Sequence, residues 1–198
     1  MVKIDKELLQ ELRDHTGLGL MDCRKALEQT SGDFDQALEL LRKKGAAVAA
    51  KRADKETGEG LIKTYIHPGD RLGVLIEINC ETDFVANTES VRQFAQDICL
   101  QVAASKPMYV SPESVDQAFL ENERRLFRDQ LVESGKPESI IDQIVEGKIK
   151  KLCMDICLLE QQFIKNDQQT VKEVLQELIA KTGESIRIRR FCRFELGK

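Results

Sequence analysis

The chain has 198 residues, of which 41% are apolar, 32% charged and 5% aromatic. That length supports one or two domains with a real core, and without Trp the core must rest on Leu, Ile, Val and Ala. A formal net charge of −4 argues against broad nucleic-acid binding, which needs a surplus of Lys and Arg, and leaves only local basic patches: Arg42-Lys43-Lys44 with Lys51-Arg52, and Arg187-Ile188-Arg189-Arg190 with Arg193.

The first fifty residues read as three short helices. Asp5 is placed to cap the first, with Leu8, Leu9 and Leu12 on one face. Thr16-Gly17-Leu18-Gly19 breaks it, since two glycines so close permit a tight turn. The second helix carries Leu20, Cys23 and Leu27 and ends near Ser31-Gly32. Asp33 and Gln36 have capping-box spacing for the third, which carries Ala37, Leu38 and Leu41 and is expected to stop at Gly45. So small a unit has a thin core, which suits a compact adaptor better than a catalytic domain. Its pattern resembles a ubiquitin-associated (UBA-like) three-helix domain. Residues 46–57 read as a helix-prone connector, so the expected domains are 1–53 and 54–198.

The period then changes. Gly60 to His67 and Arg71 to Asn79 read as strands joined at Pro68-Gly69-Asp70, an antiparallel hairpin. Asn79-Cys80-Glu81-Thr82-Asp83-Phe84-Val85-Ala86-Asn87-Thr88 follows as a strand-to-helix turn. An acid and a large aromatic side by side at a turn are hard to bury together, so one of them is expected to face outward. An exposed Phe is an interface anchor. Thr88 to Ala104 is helical, with a stripe of Val91, Phe94, Ala95, Ile98 and Val102. Pro112 to Glu133, Glu138 to Gly147 and Lys148 to Cys157 read as further helical segments, and Leu158 to Ile164 as irregular or extended. Thr170 to Lys181 is a helix closed by Gly183. Ser185 to Leu196 is a last strand with Ile186, Ile188, Arg190, Cys192 and Phe194 on one side, expected to pair with the strand near residue 60. The expected fold class is α+β: an N-terminal three-helix UBA-like domain, then an α+β core with a small antiparallel sheet packed against helices.

The six cysteines include no Cys-x-x-Cys pair, so no metal site is expected, and Cys153 and Cys157, one helical turn apart, read as buried thiols. The start of the chain has no signal-peptide pattern, and no apolar run approaches the roughly 20 residues of a membrane span. The expected compartment is the cytosol, without disulfides or membrane contact. His15 and His67 have no evident nucleophile or carboxylate partner, and no phosphate-binding glycine motif is present. Glu81 and Asp83 could form a paired-carboxylate acid/base site, although alternating acids at an element's end are more often a solvated rim. The arginines from Arg187 to Arg193 read equally as charges guarding a sheet edge or as a docking surface.

Two stretches carry a resemblance. Asn79 to Ala86, with Thr82-Asp83-Phe84-Val85 at its centre, is one. Thr16-Gly17-Leu18-Gly19-Leu20-Met21-Asp22-Cys23-Arg24-Lys25-Ala26-Leu27 with Gly32-Asp33 is the other, and the likeness continues to Arg189-Arg190-Phe191-Cys192-Arg193-Phe194-Glu195-Leu196. The chain resembles bacterial translation elongation factor Ts, in its short single-core form. The resemblance implies a guanine nucleotide exchange factor for elongation factor Tu, not an enzyme and without a cofactor. Thr82, Asp83, Phe84 and Val85 would enter the partner's GTPase domain near its Mg²⁺. Leu20, Met21 and Arg24 would dock on that domain, with Arg13 and Arg52 as supporting charges; Leu20 stands where many relatives carry Met. A single core copy implies a homodimer, with Ile186, Ile188, Arg190, Cys192 and Phe194 as candidate interface. Two other readings stay open: an adaptor that binds a partner without affecting nucleotide release, and an enzyme using Glu81 and Asp83. Phe84→Ala separates them, because only exchange needs the ring.

Overall fold

The carboxylate of Asp5 accepts the Glu7 amide at 3.1 Å and starts α1 (Lys6–Thr16). Gly17 ends the helix at φ 64°, its amide donating to Arg13 O at 2.7 Å. The molecule is a computed structural model that describes residues 4–198. The described residues pack as two units, one of residues 4–63, 76–97 and 172–189, the other of 64–75, 98–171 and 190–198.

In the first unit, α1, α2 (Leu20–Gln29) and α3 (Phe34–Arg52) close on Leu12, Cys23, Ala26, Leu27, Ala37 and Leu41. Asp33 caps α3 by accepting from the Gln36 amide at 2.9 Å, and the Gln36 side chain donates to the same carboxylate instead of accepting the Asp33 main-chain amide. α3 does not stop at Gly45 but runs on to Arg52, taking in much of the expected connector. A Cβ on Gly45 would meet the Cβ of Ala180 in α8 (Val171–Thr182) at 3.4 Å, an ordinary contact, and Gly45 has no left-handed backbone to end the helix. The alanines after it then extend the helix at no side-chain entropy cost.

β1 (Glu59–Ile66), β2 (Leu72–Cys80) and β5 (Ile186–Glu195) form the small antiparallel sheet, with β2 in the middle. β5 therefore bonds to β2 and not, as the sequence suggested, to the strand near residue 60. β2 is the most apolar strand and buries Val74, Ile76, Ile78 and Cys80, which suits the central position. Gly60 is obligatory in β1, since a Cβ on it would fall 2.1 Å from Ile78 O. After β2 come α4 (Asp83–Ala86) and α5 (Glu89–Ser105).

In the second unit, α6 (Gln117–Glu133) and α7 (Glu138–Ile156) form a helical hairpin on Val115, Leu120, Leu131, Ile141, Val145 and Ile149. α6 starts later than the sequence suggested, because Pro112–Ser114 make a single 3₁₀ turn and Asp116 is the cap. α7 is one helix where two segments were expected; Gly147 lies on its exposed side and does not interrupt the buried stripe. A two-stranded antiparallel ribbon, β3 (Gln162–Phe163) and β4 (Asn166–Thr170), follows. Polar β4 carries no alternation to betray it. Buried Gln101 organises this stretch, donating to Gln161 Oε1 at 3.2 Å and accepting from the Ile164 amide at 2.8 Å. Among the described residues no helix is long and apolar enough to cross a membrane.

Candidate functional site at the turn after the central strand

β2 ends on buried Cys80, whose thiol is pushed up to about 11 by burial and then by the nearby Glu184 carboxylate. The next residue anchors the turn. Glu81 accepts the Ser185 amide at 2.6 Å and the Arg52 guanidinium at 3.0 and 3.1 Å. These donors, the Ser185 amide foremost, hold its carboxyl below the ordinary glutamate value against the opposing effect of desolvation.

Thr82 caps the one-turn helix α4, its Oγ1 accepting from the Val85 amide at 3.3 Å. The same hydroxyl donates to Glu184, whose carboxylate also accepts the Thr82 amide at 3.1 Å. Buried Ala86 plugs α4 into the unit. The Asn87 side chain donates to Asp83 O at 2.9 Å, and Arg92 donates to Asn87 Oδ1 at 2.6 Å. Thr88 Oγ1 donates to Val85 O at 2.7 Å and accepts the Val91 amide at 3.4 Å, so it ties α4 to the start of α5. The side chains of Glu81, Thr82, Asn87 and Thr88 along the turn's base are thus all engaged. At its apex both Asp83 and Phe84 face outward, and the Phe84 ring is 86% exposed. Leaving so large an apolar ring in water is costly for an isolated domain and suits a surface that meets a partner.

A second apolar feature of the same unit lies at the start of α2, where Leu20 is 48% and Met21 58% exposed. Of the three apolar residues the second helix carries, Cys23 and Leu27 join the core and Leu20 stands outside it. Arg24 on the same helix is exposed and pairs with Glu28 at 2.9 Å. Arg13 is exposed in the last turn of α1. Beside them is a cleft of about 330 Å³ lined by Leu18, Asp22, Lys44, Val48 and Ala180 among others. Arg52 differs from these, because its guanidinium braces Glu81.

The strand residues proposed for self-association divide. Ile186 and Ile188 are buried in the protomer and belong to its core, so they are not surface residues. Arg190 and Phe194 are exposed, Phe194 at 72%, and Cys192 is half-buried. Alternation alone put all five on one side, but burial falls along β5 from Ile186 and Ile188 to Phe194.

For acid/base chemistry the arrangement is unsuited. Glu81 is already taken up by Ser185 and Arg52, which leaves Asp83 without the free carboxylate partner such a site needs. His15 stacks edge-on to Phe34 and His67 meets the Tyr65 hydroxyl at 2.9 Å. Among the described residues no group of three or more His, Cys, Asp or Glu side chains could hold a metal ion. The residues that sequence reasoning missed are Glu184 and Ser185. They stand more than a hundred positions along the chain from the turn they brace, and no local pattern links them to it.

Comparison with known proteins agrees over nearly the whole chain. A family model described as Elongation factor TS matches residues 8–198. The chain is 51% identical to Elongation factor Ts of Caldanaerobacter subterraneus over 195 residues, 98% of each protein. It is 52% identical to Elongation factor Ts of Carboxydothermus hydrogenoformans, covering 98% of this chain and 90% of that one. With Elongation factor Ts of Desulfosudis oleivorans the identity is 49% over 198 residues, all of both chains.

Proposed function

The chain belongs to the elongation factor Ts family, and from that membership we propose that it acts in translation as a guanine nucleotide exchange factor for elongation factor Tu. The observation that carries this reading is the exposed Phe84 ring beside Asp83 on a turn whose base is fully braced. On this reading Thr82 to Val85 enter the GTPase domain of GDP-bound elongation factor Tu. Mg²⁺ there bridges phosphate oxygens and neutralises their charge, so displacing it weakens the hold on GDP. Phe84 acts as the wedge, gaining on insertion the apolar burial it lacks in the free protein. Asp83 supplies a carboxylate for groups uncovered by the displacement. This protein makes and breaks no bond and needs no cofactor.

Linkage sets the energetics. A factor that weakens GDP binding by some ratio is itself bound more weakly by that ratio when GDP is present. The complex of all three is a strained intermediate from which either ligand departs, and GTP excess sets the direction.

In the same proposal, residues 1–53 form a docking domain that uses Leu20, Met21, Arg24 and Arg13. Arg52 serves mainly through Glu81. The 54–198 core pairs with a second copy through the outer part of β5, at Arg190, Cys192 and Phe194. The protein works in the cytosol and touches neither nucleic acid nor membrane.

The test is release of fluorescent GDP from elongation factor Tu by stopped flow. Wild type should accelerate release, and Phe84→Ala should lose at least about 100-fold of the acceleration, a magnitude expected when a geometry-critical group is removed. An absence of acceleration by the wild type sinks the exchange reading in favour of an adaptor.

A further inference from the structure

Thr82 has one hydroxyl proton and two tasks. To cap α4 its oxygen must aim a lone pair at the Val85 amide, which it accepts at 3.3 Å. That orientation is assured when the proton is drawn elsewhere, and Glu184 draws it: Oε1 accepts from Thr82 Oγ1 at 2.8 Å. Glu184 Oε2 accepts the Thr82 main-chain amide at 3.1 Å, so a single carboxylate grips both the backbone and the side chain of the cap. The next residue completes the clasp in the opposite sense, with the Ser185 amide donating to Glu81 at 2.6 Å. Two consecutive residues of one loop thus hold two consecutive residues of the other.

The Glu184 loop is itself built for placement. α8 ends at Thr182, whose hydroxyl donates back to Leu178 O at 2.9 Å. Gly183, at φ 73°, turns the chain through a conformation that side chains disfavour. Ser185 and Ile186 are buried and lock the far side. The carboxylate is therefore carried on a short segment fixed at both ends, whereas α4, with one turn, has little intrinsic stability.

We propose that Glu184 is the positioning residue of the exchange motif: by holding Thr82 in its capping geometry it keeps α4 formed and Asp83 and Phe84 presented before the partner arrives. This rests on the exchange reading above. Without the clasp the turn would have to order itself during insertion, so the loss would fall on the rate of nucleotide release and not on docking, which the proposal assigns to Leu20, Met21, Arg24 and Arg13.

Full-length Glu184→Ala, Glu184→Gln and Thr82→Val proteins are compared with wild type in the fluorescent-GDP assay over a range of factor concentrations. Glu184→Ala and Thr82→Val should lower the maximal release rate about tenfold while the half-saturating concentration stays within about twofold. Glu184→Gln, which keeps one acceptor oxygen, should fall between. Hydrogen–deuterium exchange gives the second readout: Glu184→Ala should speed exchange across residues 81–88 and leave α1 and α2 unchanged. Wild-type maximal rate in Glu184→Ala overturns the assignment. So does a loss confined to the half-saturating concentration, or faster deuterium exchange throughout the molecule, which marks general destabilisation. If the wild type itself fails to accelerate release, the exchange reading falls and takes the positioning role with it, a result distinct from a normal wild type with a normal variant.

Discussion

Glu195, near the end of β5, pairs with Arg193 at 2.8 Å and Lys198 at 3.1 Å. Hydrogen bonds from those two cations, Arg193 first, hold its carboxyl down at about 2. In the unfolded chain a glutamate titrates near ~4.3, so the unfolded state takes up the proton first as pH falls. The stabilisation is complete above that value and is lost progressively as pH drops towards 2. Glu195→Gln should flatten the acid limb of a plot of Tm against pH in that window, and added salt should shrink the difference between the two proteins. Phe84 differs in how much the sequence reveals. That an acid and an aromatic at a turn cannot both be buried was readable from residues 83 and 84, and the structure exposes both. The partners of Glu81 and Thr82 were not readable, since Ser185 and Glu184 come from the far end of the chain.

Among the elements, those with a strong one-sided apolar pattern were legible. α1, α2, α5, α8 and the β1–β2 hairpin lie within a few residues of their expected limits. Glycine reads as punctuation in a sequence, and at two positions here it is not. Gly45 lies inside α3 and Gly147 inside α7, neither with the left-handed backbone that ends a helix at Gly17. A Cβ at Gly147 would meet no atom within 4 Å. Gly147→Ala should therefore stabilise the protein by about 0.5–1 kcal/mol, the usual helix-interior difference, seen as a higher urea midpoint at unchanged m-value. β4 was missed for the opposite reason: Asn166 to Gln169 are polar throughout, and the strand exists through its pairing with β3.

For the whole molecule, β5 is an edge strand of the sheet and carries exposed Phe194. An apolar residue on an unpaired edge invites association. On the proposed dimer, sedimentation velocity should give twice the protomer mass for wild type, and Phe194→Glu should move it towards the monomer. A monomer for the wild type at all concentrations would remove the dimer from the proposal. The sequence by itself determined the α+β class, the three N-terminal helices, the hairpin and the position of the Thr82–Val85 turn. Each depends on local periodicity or on a few adjacent residues, which is information the chain carries in order. Only tertiary structure decided that β2 is central, that Ile186 and Ile188 are core while Phe194 is surface, and that Arg52 and Glu184 brace the turn. Those are pairings between residues far apart in sequence, chosen by packing and by the need of each carboxylate for a donor, and neither is written in any one stretch of the chain.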